Sequence, residues 1–230
     1  MKRFLLIPLL AATSLLNAQD VTTKSAFGDG EGVDGTVNAI VVQKDGKIVI
    51  GGRFASVNGV PRANIARINA DGTLDRTFTD TIESGVNGQV FALTIDSTGA
   101  IIAGGLFTQA ASTEVLNLAR FKTDGSLDKN FGGVTTGQPG ANGEVLALGT
   151  QPDGKIVVGG SFSSVFGQPR HGIARLNSDT TLDGPVVSQD ALSGTVRAVG
   201  SSPQDDTIAG GLFTMQGQIA RSLIRVGKPD

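Results

Sequence analysis

Residues 37–54 read VNAIVVQKDGKIVIGGRF. Two runs rich in β-branched residues, Val37–Val42 and Ile48–Ile50, flank Lys44-Asp45-Gly46-Lys47, and the second run closes on Gly51-Gly52-Arg53-Phe54. Asp-Gly between such runs is a short hairpin signal and predicts a type I′ turn, which wants positive φ at both central residues. Neither run alternates cleanly between apolar and polar side chains. Both faces of this hairpin are therefore expected to be covered, as in a sheet held between two others.

The stretch recurs. Gly-Gly-x-Phe returns at Gly104–Phe107, Gly159–Phe162 and Gly210–Phe213, at spacings of 53, 55 and 51 residues. The first turn returns as Thr98-Gly99 and Asp153-Gly154, with Gln204-Asp205 as a degenerate version. A second hairpin follows each doublet. Asn64–Asn69 turns at Asp71-Gly72 into Leu74-Asp75 and Phe78, Asn117–Phe121 at Asp124-Gly125 into Leu127-Asp128 and Phe131, and Ile173–Asn177 at Asp179-Thr180 into Leu182-Asp183. Each unit is thus read as four short antiparallel strands. A period of this length marks an array whose units bury their apolar faces only against one another. Four strands per unit predict propeller blades. The expected fold is all-β: a β-propeller of four four-stranded antiparallel blades, with repeats at about 34–86, 87–141, 142–192 and 193–230.

The linked run of Asp-Gly-Lys, Gly-Gly-x-Phe, Ala-Arg and Asp-Gly-x-Leu-Asp resembles the delta-60 repeat family of secreted and cell-surface bacterial proteins. The resemblance covers nearly all of the chain after its first residues and implies a β-propeller with no established enzymatic activity. The fourth copy departs from the pattern, with Thr207 beside a lost Asp-Gly-Lys and Leu223-Ile224-Arg225 in place of Ile-Ala-Arg.

The given sequence stops where the second hairpin of the fourth copy should turn, while Val21–Phe27 precedes the first full unit, and Phe27 falls where Phe78 and Phe131 fall. Residues 21–28 are accordingly expected to supply the missing strand and close the ring. A closed monomer is the first expectation. Two chains forming an eight-bladed ring, or a fragment of a longer array, are the alternatives.

Lys2-Arg3, the apolar run Phe4–Leu16 and Asn17-Ala18 read as a secretory signal peptide over residues 1–18. The chain is expected to be secreted, periplasmic or on the cell surface, with no membrane insertion of the mature part. With no Cys it has no disulfide framework. A net charge of -2, from 19 basic and 21 acidic residues, gives no electrostatic case for a nucleic-acid partner.

Antiparallel strand order puts the Asp-Gly turns on one face and the variable connections, 79–89, 132–144 and 184–195, on the other. Variable loops on a rigid scaffold are where recognition is expected. There Arg62, Arg170 and Arg221 stand at matching places and are read as a positive rim for an oxyanion ligand; the plainer expectation pairs them with Glu31, Asp34, Asp80, Glu83 or Asp190. His171, the single His, and Phe166, either a stacking platform or a buried anchor, complete the ligand-binding candidates. Arg67, Arg120, Arg175 and Arg225 recur once per copy, as do Asp75, Asp128 and Asp183 in three. They are read as Arg–carboxylate bridges within or between blades. Asp29, Glu31 and Asp34 are weak candidates for a calcium site, and the expectation is no metal and no cofactor. No catalytic residues are assigned. The functional expectation is a noncatalytic propeller with an unknown protein or glycan partner, acting as an interaction or surface-structural module. A glycan-binding or glycan-processing protein is the alternative.

Overall fold

The computed structural model describes residues 32–78, 85–133, 139–187, 192–204, 206–215 and 221–226. The expected signal peptide, the closing strand at 21–28, and Asp29 and Glu31 lie outside the described residues.

The repeat folds as four similar antiparallel sheets. Sheet 1 contains β1 (Thr36–Val42), β2 (Ile48–Arg53) and β5 (Ile65–Ile68), with a small hairpin of β3 (Ser56–Val57) and β4 (Val60–Pro61) between the last two. Sheet 2 repeats this with β6 (Gln89–Ile95), β7 (Ile101–Leu106) and β10 (Leu118–Phe121) around β8 (Gln109–Ala110) and β9 (Thr113–Glu114). Sheet 3 has β11 (Glu144–Thr150), β12 (Ile156–Ser161) and β15 (Ile173–Leu176) around β13 (Ser164–Val165) and β14 (Gln168–Pro169). Sheet 4 is β16 (Leu192–Ser201), β17 (Thr207–Met215) and β18 (Arg221–Val226). Among the described residues the expected fourth strand is reduced to one bridge in each of the first three copies: Ile68 with Leu74, Phe121 with Leu127, and Leu176 with Leu182. In the first copy the next residue, Asp75, turns its carboxylate onto the Thr77 amide and hydroxyl, which bends the chain away from the ladder.

The Asp-Gly turns are not type I′. Only the glycine has positive φ, as at Gly46 and Gly72, and the bonds Gly46 N–H to Gln43 C=O and Gln43 N–H to Lys47 C=O define a type I turn followed by a left-handed glycine. The I′ geometry sits instead at the tips of the small hairpins, at Asn58-Gly59, Ala111-Ser112 and Phe166-Gly167.

The two glycines of each doublet do different work. A β-bulge between Val37 and Ala39 recurs at Val90/Ala92, Val145/Ala147 and Val196/Ala198. It pushes the first strand onto the second glycine: a Cβ on Gly52, Gly105, Gly160 or Gly211 would lie 1.9–2.2 Å from a carbonyl oxygen of that strand. The first glycine faces the next sheet. A Cβ on Gly51 would lie 2.5 Å from Val90 Cγ1, one on Gly104 2.3 Å from Val145 Cγ1, and one on Gly159 2.7 Å from Val196 Cγ1. Each sheet therefore inserts a Val and a Leu or Val from its first strand into a glycine hollow of the sheet before it.

This lock places three of the four core clusters between sheets, while the fourth, around Ile50, Phe54, Val57, Ala66 and Ile68, lies within the first copy. Val49 and Ile65 of sheet 1 join Val86, Val90, Leu93 and Ala103 of sheet 2; Ile102 and Leu118 join Val145, Val158 and Ala174 of sheet 3; Val157 and Ile173 join Leu192, Val196 and Ala209 of sheet 4. The Phe that closes each doublet motif is buried in all four copies. Strand coverage departs from expectation in sheet 1, where β1 alternates between exposed and half-buried and Ile40 and Val42 are each 63% exposed. No strand pairing joins sheet 4 to sheet 1 among the described residues, and the closure expected of residues 21–28 falls outside them.

Candidate functional site

The connections after each second strand are tied down by one side chain. Asn64 and Asn117 adopt left-handed backbone, φ 62° and 60°, which Asn tolerates better than other residues with a Cβ. Each amide oxygen accepts the N–H of the motif phenylalanine, Phe54 or Phe107, at 3.0 Å, and each amide nitrogen donates to a carbonyl of the next sheet, Val86 at 2.8 Å or Ala141 at 2.9 Å. One carboxamide thus bridges two sheets.

The third copy has Gly172 at this position, with φ 67° and no side chain to make either bond. A cleft of about 490 Å³ opens there between sheets 3 and 4. The hydroxyls of Ser161, Ser163, Ser193 and Thr195, the amide of Asn142 and the imidazole of His171 line it, with Phe162 and Leu192 below. Asn142 holds the rim: its Oδ1 accepts the Ser163 and Ser164 amides at 2.9 Å and its Nδ2 donates to Ser163 Oγ at 2.8 Å. The sequence carried the signal for this site, Gly in the register of two asparagines, but its meaning depends on which carbonyl of the next sheet the amide reaches.

Of the candidates read from sequence, His171 lines the cleft. Arg62 and Arg170 do not form an exposed rim. They are 2% and 8% exposed and turn back onto their own chain, Arg62 to the Pro61 carbonyl at 2.7 Å, Arg170 to the Pro169 and Asp183 carbonyls at 2.8 and 2.5 Å. Burial lowers the Arg170 pKa although Asp183 favours its charge. Sequence could not separate a rim from a buried anchor because the Pro-Arg pair looks the same whether its guanidinium points outward or turns back onto its own chain, as both do here. Phe166 is likewise no platform. It is 8% exposed, its ring stands edge-on to Phe131 at 5.3 Å between centroids, and it packs against Gly132. The Arg221 side chain lies outside the described residues. Asp34 spends its Oδ1 on the Ala55 and Ser56 amides, both at 2.8 Å, and those bonds lower its pKa.

The repeated Arg and Asp residues meet near the turn face. Arg67 Nε donates to Asp75 at 2.8 Å, Arg175 Nε to Asp183 at 2.7 Å, and Arg120 Nη1 to Asp128 at 2.5 Å. Lys47 and Lys155 reach the same carboxylates at 2.8 and 2.9 Å. In the second copy Ala100 stands where those lysines stand, and Asp96 replaces Gln43 and Gln151, bonding Arg120 Nε at 2.7 Å. In the fourth, Asp206 occupies the lysine position and takes Arg225. Each copy keeps a bonded Arg–carboxylate pair, copies one and three by the same arrangement of charge and copies two and four each by another, as a structural element does. Arg67 also crosses to sheet 2, donating to the Thr123 carbonyl at 2.6 Å, and stacks over the Phe78 ring at 4.6 Å.

Comparison with known proteins places this architecture. Residues 43–78, 97–131 and 151–184 each match the profile of a β-propeller domain of unknown function, DUF5122. The chain carries β-propeller repeats. It is similar in fold to the WD40 β-propeller domain of Doa1, at 14% identity and a TM-score of 0.51 over 84% of this chain and 50% of that one. It is also similar to the extracellular domain of a two-component system protein, BT3049, of B. thetaiotaomicron, at 12% identity and 0.50 over 86% and 22%. A third likeness is to virginiamycin B lyase of Staphylococcus aureus, at 14% and 0.47 over 86% and 58%. The chain therefore spans less than two thirds of the length of each. No curated protein matches by sequence. The expectation that the chain is not an enzyme is corrected here: the proteins to which it is similar include a lyase, and likeness at this identity speaks for the fold alone. Among the described residues no helix is long and apolar enough to cross a membrane, which says nothing of β-barrels.

Proposed function

We propose that this protein is an extracellular or cell-surface interaction module of the delta-60 type, whose four sheets are propeller blades, and that it engages its partner through the cleft at Gly172. The single observation behind this reading is the missing carboxamide. Two copies of the repeat fill the position with Asn and bridge two sheets, while the third leaves a polar cleft of about 490 Å³. A partner's Asn or Gln side chain presents the same acceptor and donor and would enter where Asn64 and Asn117 lie in their own copies. The signal-like residues 1–18 and the likeness to an extracellular domain support the location. The serine and threonine hydroxyls favour a second reading, a glycan whose N-acetyl group supplies the amide.

The test uses acetamide as the probe in amide NMR of the full chain. The Phe162 N–H resonance is expected to shift on titration, and Gly172→Asn, which supplies the missing side chain in a backbone Asn accepts, is expected to abolish the shift. A Phe162 resonance indifferent to acetamide, or equally responsive in Gly172→Asn, refutes the cleft. Peptide and N-acetylated glycan arrays screened with both proteins then separate the two partner classes.

A further inference from the structure

The two end faces of the stack are the two halves of the lock that joins its sheets, and no described residue covers either. At the three internal junctions, the forward face of one sheet offers a glycine hollow and a buried aliphatic residue on its third strand: Gly51 with Ile65, Gly104 with Leu118, Gly159 with Ile173. Those three aliphatic residues are 0–2% exposed. Sheet 4 carries the same pair in the same register, Gly210 opposite Leu223. No described residue fills this hollow. A Cβ on Gly210 would meet only atoms of its own sheet, at 3.5 and 3.8 Å, and Leu223 is 67% exposed.

The backward face of sheet 1 is the complement. Val37 and Ile40 stand where Val90/Leu93, Val145/Leu148 and Val196/Val199 stand in the other sheets, and Ile40 is 63% exposed instead of packed. Beside them lies a nearly wholly apolar groove of about 190 Å³, lined by Val33, Val37, Ile40, Ile50, Val57 and Ile68. The corresponding positions of sheet 2, from Val86 to Phe121, belong to the cluster that takes in Ile65. Size, register and chemistry therefore match Leu223 to this groove.

We propose that a second copy of this chain docks head to tail, with sheet 4 of each copy on sheet 1 of the other, to form one ring of eight blades. Val37 and Ile40 of one copy enter the Gly210 hollow of its neighbour while the neighbour's Leu223 fills the groove. The junction is thereby a fourth instance of the interface already made three times within the chain. A head-to-tail contact closes only if its rotation does. Here no strand of sheet 4 pairs with sheet 1 among the described residues, and the four sheets match half the length of a larger propeller, so two copies supply the sheets of one ring with two equivalent junctions. Closure removes both exposed faces at once.

Native mass spectrometry and light scattering of the full chain test this. A mass twice that of the single chain is expected. Gly210→Val, which has room in the separate chain but fills the hollow, and Ile40→Asp are each expected to give a folded monomer by circular dichroism, with at least a hundredfold weaker self-association. A monomeric wild type overturns the proposal, and a Gly210→Val monomer that also melts earlier would assign the lock to closure within one chain. Trimers, filaments or a dimer insensitive to both substitutions overturn it equally.

Discussion

The division of labour within the glycine doublet makes a quantitative prediction. Gly104→Ala places a methyl 2.3 Å from Val145 Cγ1 and 3.0 Å from its Cβ, so sheets 2 and 3 must separate or Val145 must leave its rotamer. Overpacking of this kind costs about 1–3 kcal/mol. The stiffer unfolded chain returns about 0.4–1 kcal/mol. A net loss of about 1–2 kcal/mol is expected in urea denaturation followed by circular dichroism, with unchanged m, equivalent to a fall of about 2–8 °C in Tm at the usual proportion for a chain of this size. Gly200→Ala, with nothing within 4 Å of its new Cβ, is the control and should lie within about 0.5 kcal/mol of wild type. Adding Val145→Ala should relieve Gly104→Ala, with a coupling of about 1 kcal/mol or more in the double-mutant cycle. It should not relieve Gly105→Ala, whose methyl would lie 2.0 Å from the Gln89 carbonyl oxygen, a backbone atom that trimming Val145 leaves in place. Equal costs for Gly104→Ala and Gly200→Ala, or equal rescue of the two doublet positions, would refute the lock.

Two further predictions concern charge. Asp96→Gln removes one partner of a mostly buried pair and should cost about 3 kcal/mol; adding Ala100→Lys rebuilds the arrangement of copies one and three and should recover about half, read from urea midpoints. Acid titration of thermal stability should be flat down to about pH 4 and fall below it. Burial alone would raise the Asp183 carboxyl, but hydrogen bonds from Lys155 and Arg175 outweigh it and hold the pKa at about 2, below the ordinary 3.8, while Asp75 and Asp96 are lowered in the same way. A depressed folded pKa stabilises fully above the unfolded value and loses that contribution as pH falls through the folded one. The loss should therefore run from about pH 4 to about pH 2, and a transition centred above pH 5 would contradict it.

The period of Gly-Gly-x-Phe, the Asp-Gly turns and the recurring Arg and Asp were enough to read an array of β-units and an Arg–carboxylate bridge in the first three, while the Asp206–Arg225 pair of the fourth came only from the structure. Those features are local or repeated, and repetition forces them to serve the unit. Other assignments depended on where a neighbouring segment lies. Sequence read Arg62 and Arg170 as a rim, or as surface ion pairs, because they stand at matching places on variable connections, but both guanidinium groups turn back onto carbonyls of their own chain and are buried, as is Phe166. The fourth strand was expected from an apolar spacing and shrank to one bridge, because Asp75 in the first copy bonds its own backbone two residues on.

By itself, then, the sequence determined the unit: which residues form its strands, where it turns and how often it recurs. Tertiary structure decided what each glycine faces. Gly52 meets the first strand of its own sheet, Gly51 the next sheet, Gly210 only its own sheet, and Gly172 the Leu192 side chain of the next sheet at the edge of a cleft; no residue-level pattern distinguishes them, because the difference lies in the atoms that another strand or sheet brings within van der Waals reach.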